Sequence, residues 1–215
     1  MKEHPILFST PMVQAILEGR KTQTRRVIKP QPDEEPYFAN KTFMWYAENK
    51  PKGLSDCPYG EPGDLLWVRE TTIRNNNSNT YWPVADGYVK TADYEKTIPS
   101  IHMPKDAARI WLKVKDVRVE RLESISSNDA KAEGIDYSMS PIGFCGWDYQ
   151  TGGYNAMTTP YHSFMSLWRK VHGIERYGKT GNPWVWVITF EELSRTGRPE
   201  PETFPKVCLR QNSEL

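Results

Sequence analysis

Between residues 18 and 30 the chain sets five cations, Arg20, Lys21, Arg25, Arg26 and Lys29, against the single carboxylate of Glu18. The hydroxyls of Thr22 and Thr24 are interleaved with them. Over the whole chain 28 Lys and Arg stand against 27 Asp and Glu, so an anionic partner has to be met by a local patch, and this stretch supplies one. Lys21 and Thr24, three residues apart, also combine an amine that can take a proton once desolvated with a hydroxyl that can attack once deprotonated. The same run is what a solvated helix end followed by a polar strand looks like.

The elements that position these residues are legible on either side. Thr10 to Gly19 reads as a helix of two to three turns. Thr10 is suited to the N-cap, because its hydroxyl can accept from a free backbone N–H, and Pro11 to the first turn, where the donor it lacks is not needed. Met12, Val13, Ile16 and Leu17 make one apolar face, and Gly19 stops the helix by turning left-handed without a steric penalty. Arg20 and Lys21 then lie at the negative end of the helix dipole. Residues 22–28 alternate β-branched and polar side chains, as an edge or half-exposed strand does. In a regular strand Lys21 and Thr24 face opposite ways, so they converge only if the chain is still turning at residues 19–22.

The three cysteines, Cys57, Cys145 and Cys208, are scattered and odd in number, which argues against a disulfide framework and for a reducing, cytoplasmic setting. The four histidines show no ligand spacing, so no metal or other cofactor is expected. No apolar run approaches the ~20 residues of a membrane span, and the N-terminus does not read as a signal peptide. Eight Trp and eleven Tyr exceed the usual share; most belong in a core, and a surplus of rings also suits base stacking.

Taken in order, residues 5–9 read as a first strand and the proline-rich stretch 29–60 as a long excursion with at most one hairpin. Tyr59 to Asp64 is a turn and Leu65 to Glu70 a strand, with Arg69 and Glu70 at its end either reaching a cleft or forming a surface ion pair. Asn75 to Asn79 is a polar tip, and Asp86-Gly87 signals a hairpin turn between 81–85 and 88–91. Residues 109–122 alternate strongly but slip in phase near Lys115-Asp116, which predicts a bulge or bend. Residues 126–134 read as a short helix with Glu133 just before a terminal glycine, 136–158 as a second long loop, 161–172 as an amphipathic helix, and 182–190 as a closing strand. Residues 193–215 form a polar, loosely docked extension to a single domain spanning 1–192.

Gly19-Arg-Lys-Thr-x-Thr-Arg25 resembles the signature loop of the ASCH family, a branch of the PUA-like β-barrels. Pro62-Gly63-Asp64 before a strand and the Ile125-to-Gly134 stretch strengthen the likeness. It covers residues 5–28, 59–70, 107–135 and 159–192, whereas 29–58, 71–102 and 136–158 are insertions of the kind carried by longer phage and prophage forms. The resemblance implies an α+β fold: a small PUA-like β-barrel flanked by two or three helices, with a cleft for RNA or a modified nucleobase. From the small bacterial members it implies hydrolysis of the amide of N4-acetylcytidine by Lys21, Thr24 and Glu133. Thr24 would attack, Lys21 would take its proton, and Glu133 would protonate the leaving nitrogen. Arg20, Thr22, Arg25, Arg26, Arg69 and Glu70 are the candidates to bind substrate or nucleic acid. Two alternatives stay open: a non-catalytic module in which Arg20, Lys21, Arg25 and Arg26 hold phosphates while Trp45, Tyr46 or Trp147 stack on bases, and a ribonuclease using the same loop. Glu133 as a solvated helix-end carboxylate is the plain reading beside its catalytic one.

Overall fold

The computed structural model describes residues 1–39, 42–139, 145–148, 157–173 and 181–200. The fold is α+β. In chain order come β1 (Glu3–Leu7), α1 (Thr10–Leu17) and β2 (Gln23–Val27), then β3 (Tyr37–Ala39), β4 (Thr42–Ala47) and β5 (Lys50–Gly53). Next are β6 (Leu65–Arg69), β7 (Thr72–Asn75), β8 (Tyr81–Pro83), β9 (Glu95–Ile98) and the long β10 (Trp111–Arg121). The chain continues with α2 (Ser127–Ala132), β11 (Asp136–Met139), β12 (Cys145–Asp148), α3 (Pro160–His172) and β13 (Trp184–Ser194).

A five-stranded sheet in the order β1-β6-β10-β13-β2 organises the rest. β1 runs parallel to β6, and the other pairs are antiparallel. No ladder joins β1 to β2 among the described residues, so the sheet is open at these two edges. The Arg26 side chain nevertheless spans from β2 to the carbonyl of Leu7 at the end of β1.

Its two faces bury different clusters. On one, Val13 and Ile16 of α1 pack with Ile6, Leu66, Leu112, Trp186 and Ile188. On the other, Ala130 of α2 and Phe164, Met165 and Trp168 of α3 pack with Val185 and Val187. Each fully buried aliphatic or aromatic contributes about 1.5–3 kcal/mol, so both helical layers are tied firmly to the sheet. The phase slip in β10 is a register shift between Val114 and Asp116. It inserts one residue, so that Leu112 and Val114 before it and Val117 and Val119 after it all reach the same cluster.

The helices begin and end for local reasons. α1 is capped by Ser9 rather than by Thr10, which is its first residue, and no side chain closes that cap. Gly19 follows its end at φ +75°, the left-handed turn expected there. α2 is capped by Ser126, whose hydroxyl accepts from the Asp129 N–H at 3.0 Å, and is followed by Gly134 at φ +99°. α3 is capped by Thr159 and stopped by Gly173.

The insertions carry more order than the sequence suggests. β3, β4 and β5 form a three-stranded antiparallel sheet, where one hairpin at most was expected. Short strands with mixed side chains and interspersed prolines leave no period to read, and Trp45, which anchors them edge-on to Trp186 at 5.4 Å, is a tertiary contact. Between 71 and 102 the order is β8-β7-β9. The turn of the β7-β8 hairpin is the asparagine-rich tip, and Asp86-Gly87 instead closes a single 3-10 turn at Val84–Asp86. Within 136–158, β11 and β12 pair as an antiparallel ladder, where a loop was expected. The final strand runs to Ser194, past the expected 190, and sits between β10 and β2. Most of the C-terminal extension, residues 201–215, lies outside the described residues. Among those described, no helix is long and apolar enough to cross a membrane.

Candidate functional site

Lys21 follows the left-handed turn at Gly19. Its N–H returns to the Ala15 carbonyl at 3.0 Å, so the chain is still winding off α1 when Lys21 is placed. Backbone bridges then join residues 21–22 to the end of α2: Lys21 pairs with Glu133, and the Thr22 N–H donates to the Ala132 carbonyl at 2.9 Å. Gly134 is what lets the two helix ends come so close. A Cβ there would stand 3.1 Å from that of Ala15 and 3.3 Å from that of Lys21.

The Lys21 side chain is wholly buried. Its Nζ donates to Glu133 Oε2 at 2.8 Å, to the Glu133 carbonyl at 2.9 Å and to the Gln23 carbonyl at 2.8 Å. It also lies 5.5 Å from the centre of the Phe8 ring. Burial pushes the Lys21 ammonium below its ordinary pKa, because the charged form is stripped of water, while the Glu133 carboxylate pulls the other way and the nearby Arg26 and Arg25 add to the lowering.

β2 sorts its side chains between the two faces of the sheet. Thr24 pairs with Ile188 and Arg26 with Trp186, which belong to the α1 cluster, whereas Arg25 pairs with Val187 of the opposite cluster. Thr24 is buried at 3 % exposure. With Glu133, Arg26, Phe164 and His172 it lines a cavity of about 50 Å³. Glu133 also lines an apolar cavity of about 320 Å³ with Met12, Ala15, Leu167 and Val171. Arg26 and His172 also line a third, polar cavity of about 420 Å³. Glu133 is thus common to the first two cavities, and Arg26 and His172 to the first and third.

Arg25 also lines the Thr24 cavity, but its guanidinium is held by carboxylates. Its buried guanidinium donates to Glu133 Oε1 at 3.3 Å and Glu120 Oε2 at 3.1 Å, and lies 3.6 Å from Asp129 Oδ2. Arg118, two pairing positions away across Val187, donates to Glu120 at 2.6 Å and to Asp129 at 3.3 Å. Lys21, Arg25 and Arg118 therefore meet Glu120, Asp129 and Glu133 in one network, with Asp116 beside Arg118 at 3.6 Å as a fourth carboxylate. For Asp129, burial raises the pKa, but the Ser126 hydroxyl and the Arg25 charge outweigh it and the net shift is downward.

The other sequence candidates are dispersed. Arg20 donates to Glu18 and, at 2.8 Å, to the Gly134 carbonyl, so it braces the junction of the two helix ends. Thr22 is exposed, its backbone joined to Ala132 and Phe190. Arg69 donates to the Ile101 carbonyl and packs on Trp67. Glu70 is buried and held by Arg109 at 2.8 Å, with Asp86 on the other side of the same guanidinium. Neither Arg69 nor Glu70 lines any of the three cavities. Of the proposed stacking rings, Trp45 is buried against Trp186, Tyr46 is exposed, and Trp147 packs with Tyr137 and Lys131.

Sequence reasoning passed over Gln23, Glu120, Asp129 and Arg118. Arg118 and Glu120 had a signal, since opposite charges two apart on a strand share a face; their partners on α2 had none. Among the described residues no group of three His, Cys, Asp or Glu side chains is placed to hold a metal ion. No family model, curated protein or solved structure matches this chain.

Proposed function

We propose that the protein is an ASCH-type amidohydrolase that removes the acyl group from N4-acylated cytidine, on an open variant of the PUA-like barrel. The observation that carries this reading is the 2.8 Å contact between Lys21 Nζ and Glu133 Oε2, with Glu133 and Thr24 on the wall of one cavity.

In this reading one proton serves both ends of the reaction. Transfer of a proton from Lys21 to Glu133 across their hydrogen bond converts the ion pair into a neutral amine and a carboxylic acid, which removes two charges from a desolvated site. Thr24 Oγ1 then attacks the acyl carbon, and its proton goes to Lys21. The tetrahedral intermediate collapses as Glu133 delivers its proton to N4, releasing cytidine and leaving an acyl-threonine beside the restored ion pair. Water hydrolyses the ester, giving its proton to Glu133, and Lys21 returns its proton to the departing Thr24 oxygen. Arg25, 3.3 Å from Glu133 Oε1, opposes the first transfer by attracting the carboxylate charge. At about 50 Å³ the Thr24 cavity suits a small acyl group, since one water occupies ~30 Å³ of liquid, and the rest of the substrate must extend into an adjoining cavity.

The test is release of cytidine from N4-acetylcytidine by the purified full-length protein, followed chromatographically. Thr24→Ala is expected to lower kcat by about 100-fold or more, with Thr24→Ser retaining part of it. No turnover, or turnover untouched by Thr24→Ala, overturns the reading.

A further inference from the structure

The cavity of about 420 Å³ beside the Thr24 site is built largely by the insertion that follows β2. Trp45, Lys52, Asp56 and Pro58 come from residues 29–58, and Arg26 and Trp186 from the sheet. Its size is that of a small-ligand pocket, typically 300–1,000 Å³. Three cations, Arg26, Lys29 and Lys52, line it against the one carboxylate of Asp56. That carboxylate is already engaged, by Lys52 at 3.7 Å and by the Gly53 N–H at 2.7 Å.

Two buried donors in its wall have no partner: the indole Nε1 of Trp45 and the Nε of Arg26. Trp45 is only 2 % exposed, and a buried N–H left unpaired is costly. A wall with excess positive charge suits an acceptor-rich anion. The loop that carries Lys29 is held in place for it: Gln31 donates to the carbonyls of Ile28 and Trp184 and accepts from the Trp184 N–H, which fixes the exit of β2 against β13.

We propose that this cavity is a phosphate subsite that takes the sugar and phosphate of a phosphorylated cytidine whose acylated amine reaches Thr24. The proposal rests on the hydrolase reading for what lies at Thr24. The subsite itself stands on its lining, and its chemistry distinguishes a nucleotide from a free nucleoside. Arg26 is shared between the two linings, while its guanidinium donates to the Leu7 carbonyl and lies 5.2 Å from the centre of the Phe8 ring.

The experiment is calorimetric binding of cytidine 5′-monophosphate and of cytidine to the full-length protein, which needs no turnover. The nucleotide is expected to bind at least about tenfold more tightly, and raising the salt should shrink that advantage. Lys29→Ala combined with Lys52→Ala should reduce it to less than about threefold, while Lys29→Arg with Lys52→Arg retains it. Circular dichroism of both double variants checks the fold. A short cytidine-containing RNA without a terminal phosphate separates the sources: binding with the same lysine dependence assigns the subsite to a backbone phosphodiester, and loss of that dependence to a free nucleotide. Equal affinity for cytidine and its monophosphate, an advantage that survives the double alanine variant, or no binding of either at millimolar concentration overturns the proposal. Tight nucleotide binding without hydrolysis would retain the subsite and remove only the hydrolase reading.

Discussion

Lys21 and Glu133 are separated by 112 positions in the chain, yet their side chains meet at 2.8 Å, with Lys21 wholly buried. The meeting is enforced twice, once by the side chains and once by the backbone bridge between the same two residues. It joins the end of α1 to the end of α2.

The pair is asymmetric, and unfolding experiments should show it. Glu133→Ala leaves both Lys21 and Arg25 buried without that carboxylate, whereas Lys21→Met leaves Glu133 still held by Arg25. Loss of one member of a buried pair typically costs about 3–5 kcal/mol, so Glu133→Ala is expected at the upper end and Lys21→Met well below it. Urea denaturation of the two variants measures this, and equal losses would contradict the arrangement.

Arg25 belongs to the fold before it belongs to any ligand. Arg25→Ala should destabilise the protein by roughly 3 kcal/mol or more, because Glu120, Asp129 and Glu133 lose a shared buried cation. Any salt dependence of nucleotide or RNA binding should keep its slope in that variant. A flattened slope with unchanged stability would mean that the guanidinium faces the ligand after all.

Gly134 is a tight point between the helix ends. Gly134→Ala places a methyl against Ala15 and Lys21 at a backbone φ of +99° that side chains rarely adopt. A loss of about 1–3 kcal/mol is expected, together with a fall in any acyl-cytidine hydrolysis as Lys21 shifts. An alanine variant as stable and active as the parent would show that the approach is looser than the coordinates place it.

Cys57 gives the protein an alkaline weakness. Burial pushes its thiol up to about 11, against an ordinary value of 9.0. Between those two values the unfolded chain has released the proton and the folded one has not, so stability should fall as pH rises through that window. Lys21 acts in the opposite sense: its folded pKa is depressed, so its contribution improves as pH rises from that lowered value toward 10.5. Comparing unfolding of the parent and Cys57→Ala from pH 8 to pH 11 isolates the thiol, with the parent expected to lose stability relative to the variant. Parallel curves would show that the thiol titrates normally.

Much of this molecule was written locally. The end of α1 at Gly19, the Ser126 cap and Gly134 stop of α2, α3 between Thr159 and Gly173, the β6 strand after Pro62-Gly63-Asp64 and the bulge at Lys115 all follow from side-chain period, capping and glycine geometry, which act over a few residues. Strand alternation required the chain to be still turning at residues 19–22 if Lys21 and Thr24 are to converge, and the turn itself is present, with the Lys21 N–H returning to the Ala15 carbonyl. What the basic run does was not written locally. Five cations in thirteen residues look like a solvated patch, and only the packing of α2 and α3 on the sheet turned Arg25 inward to three carboxylates that lie 95 to 108 positions away. The same limit hid the β3-β4-β5 sheet and misplaced the hairpin turn at Asp86-Gly87, because short strands acquire their register from what they pack against. Local sequence carries torsion preferences and periodicity. Which charges are buried together is decided by long-range packing, where desolvation makes a partner obligatory and the chain supplies it from wherever the fold brings one near.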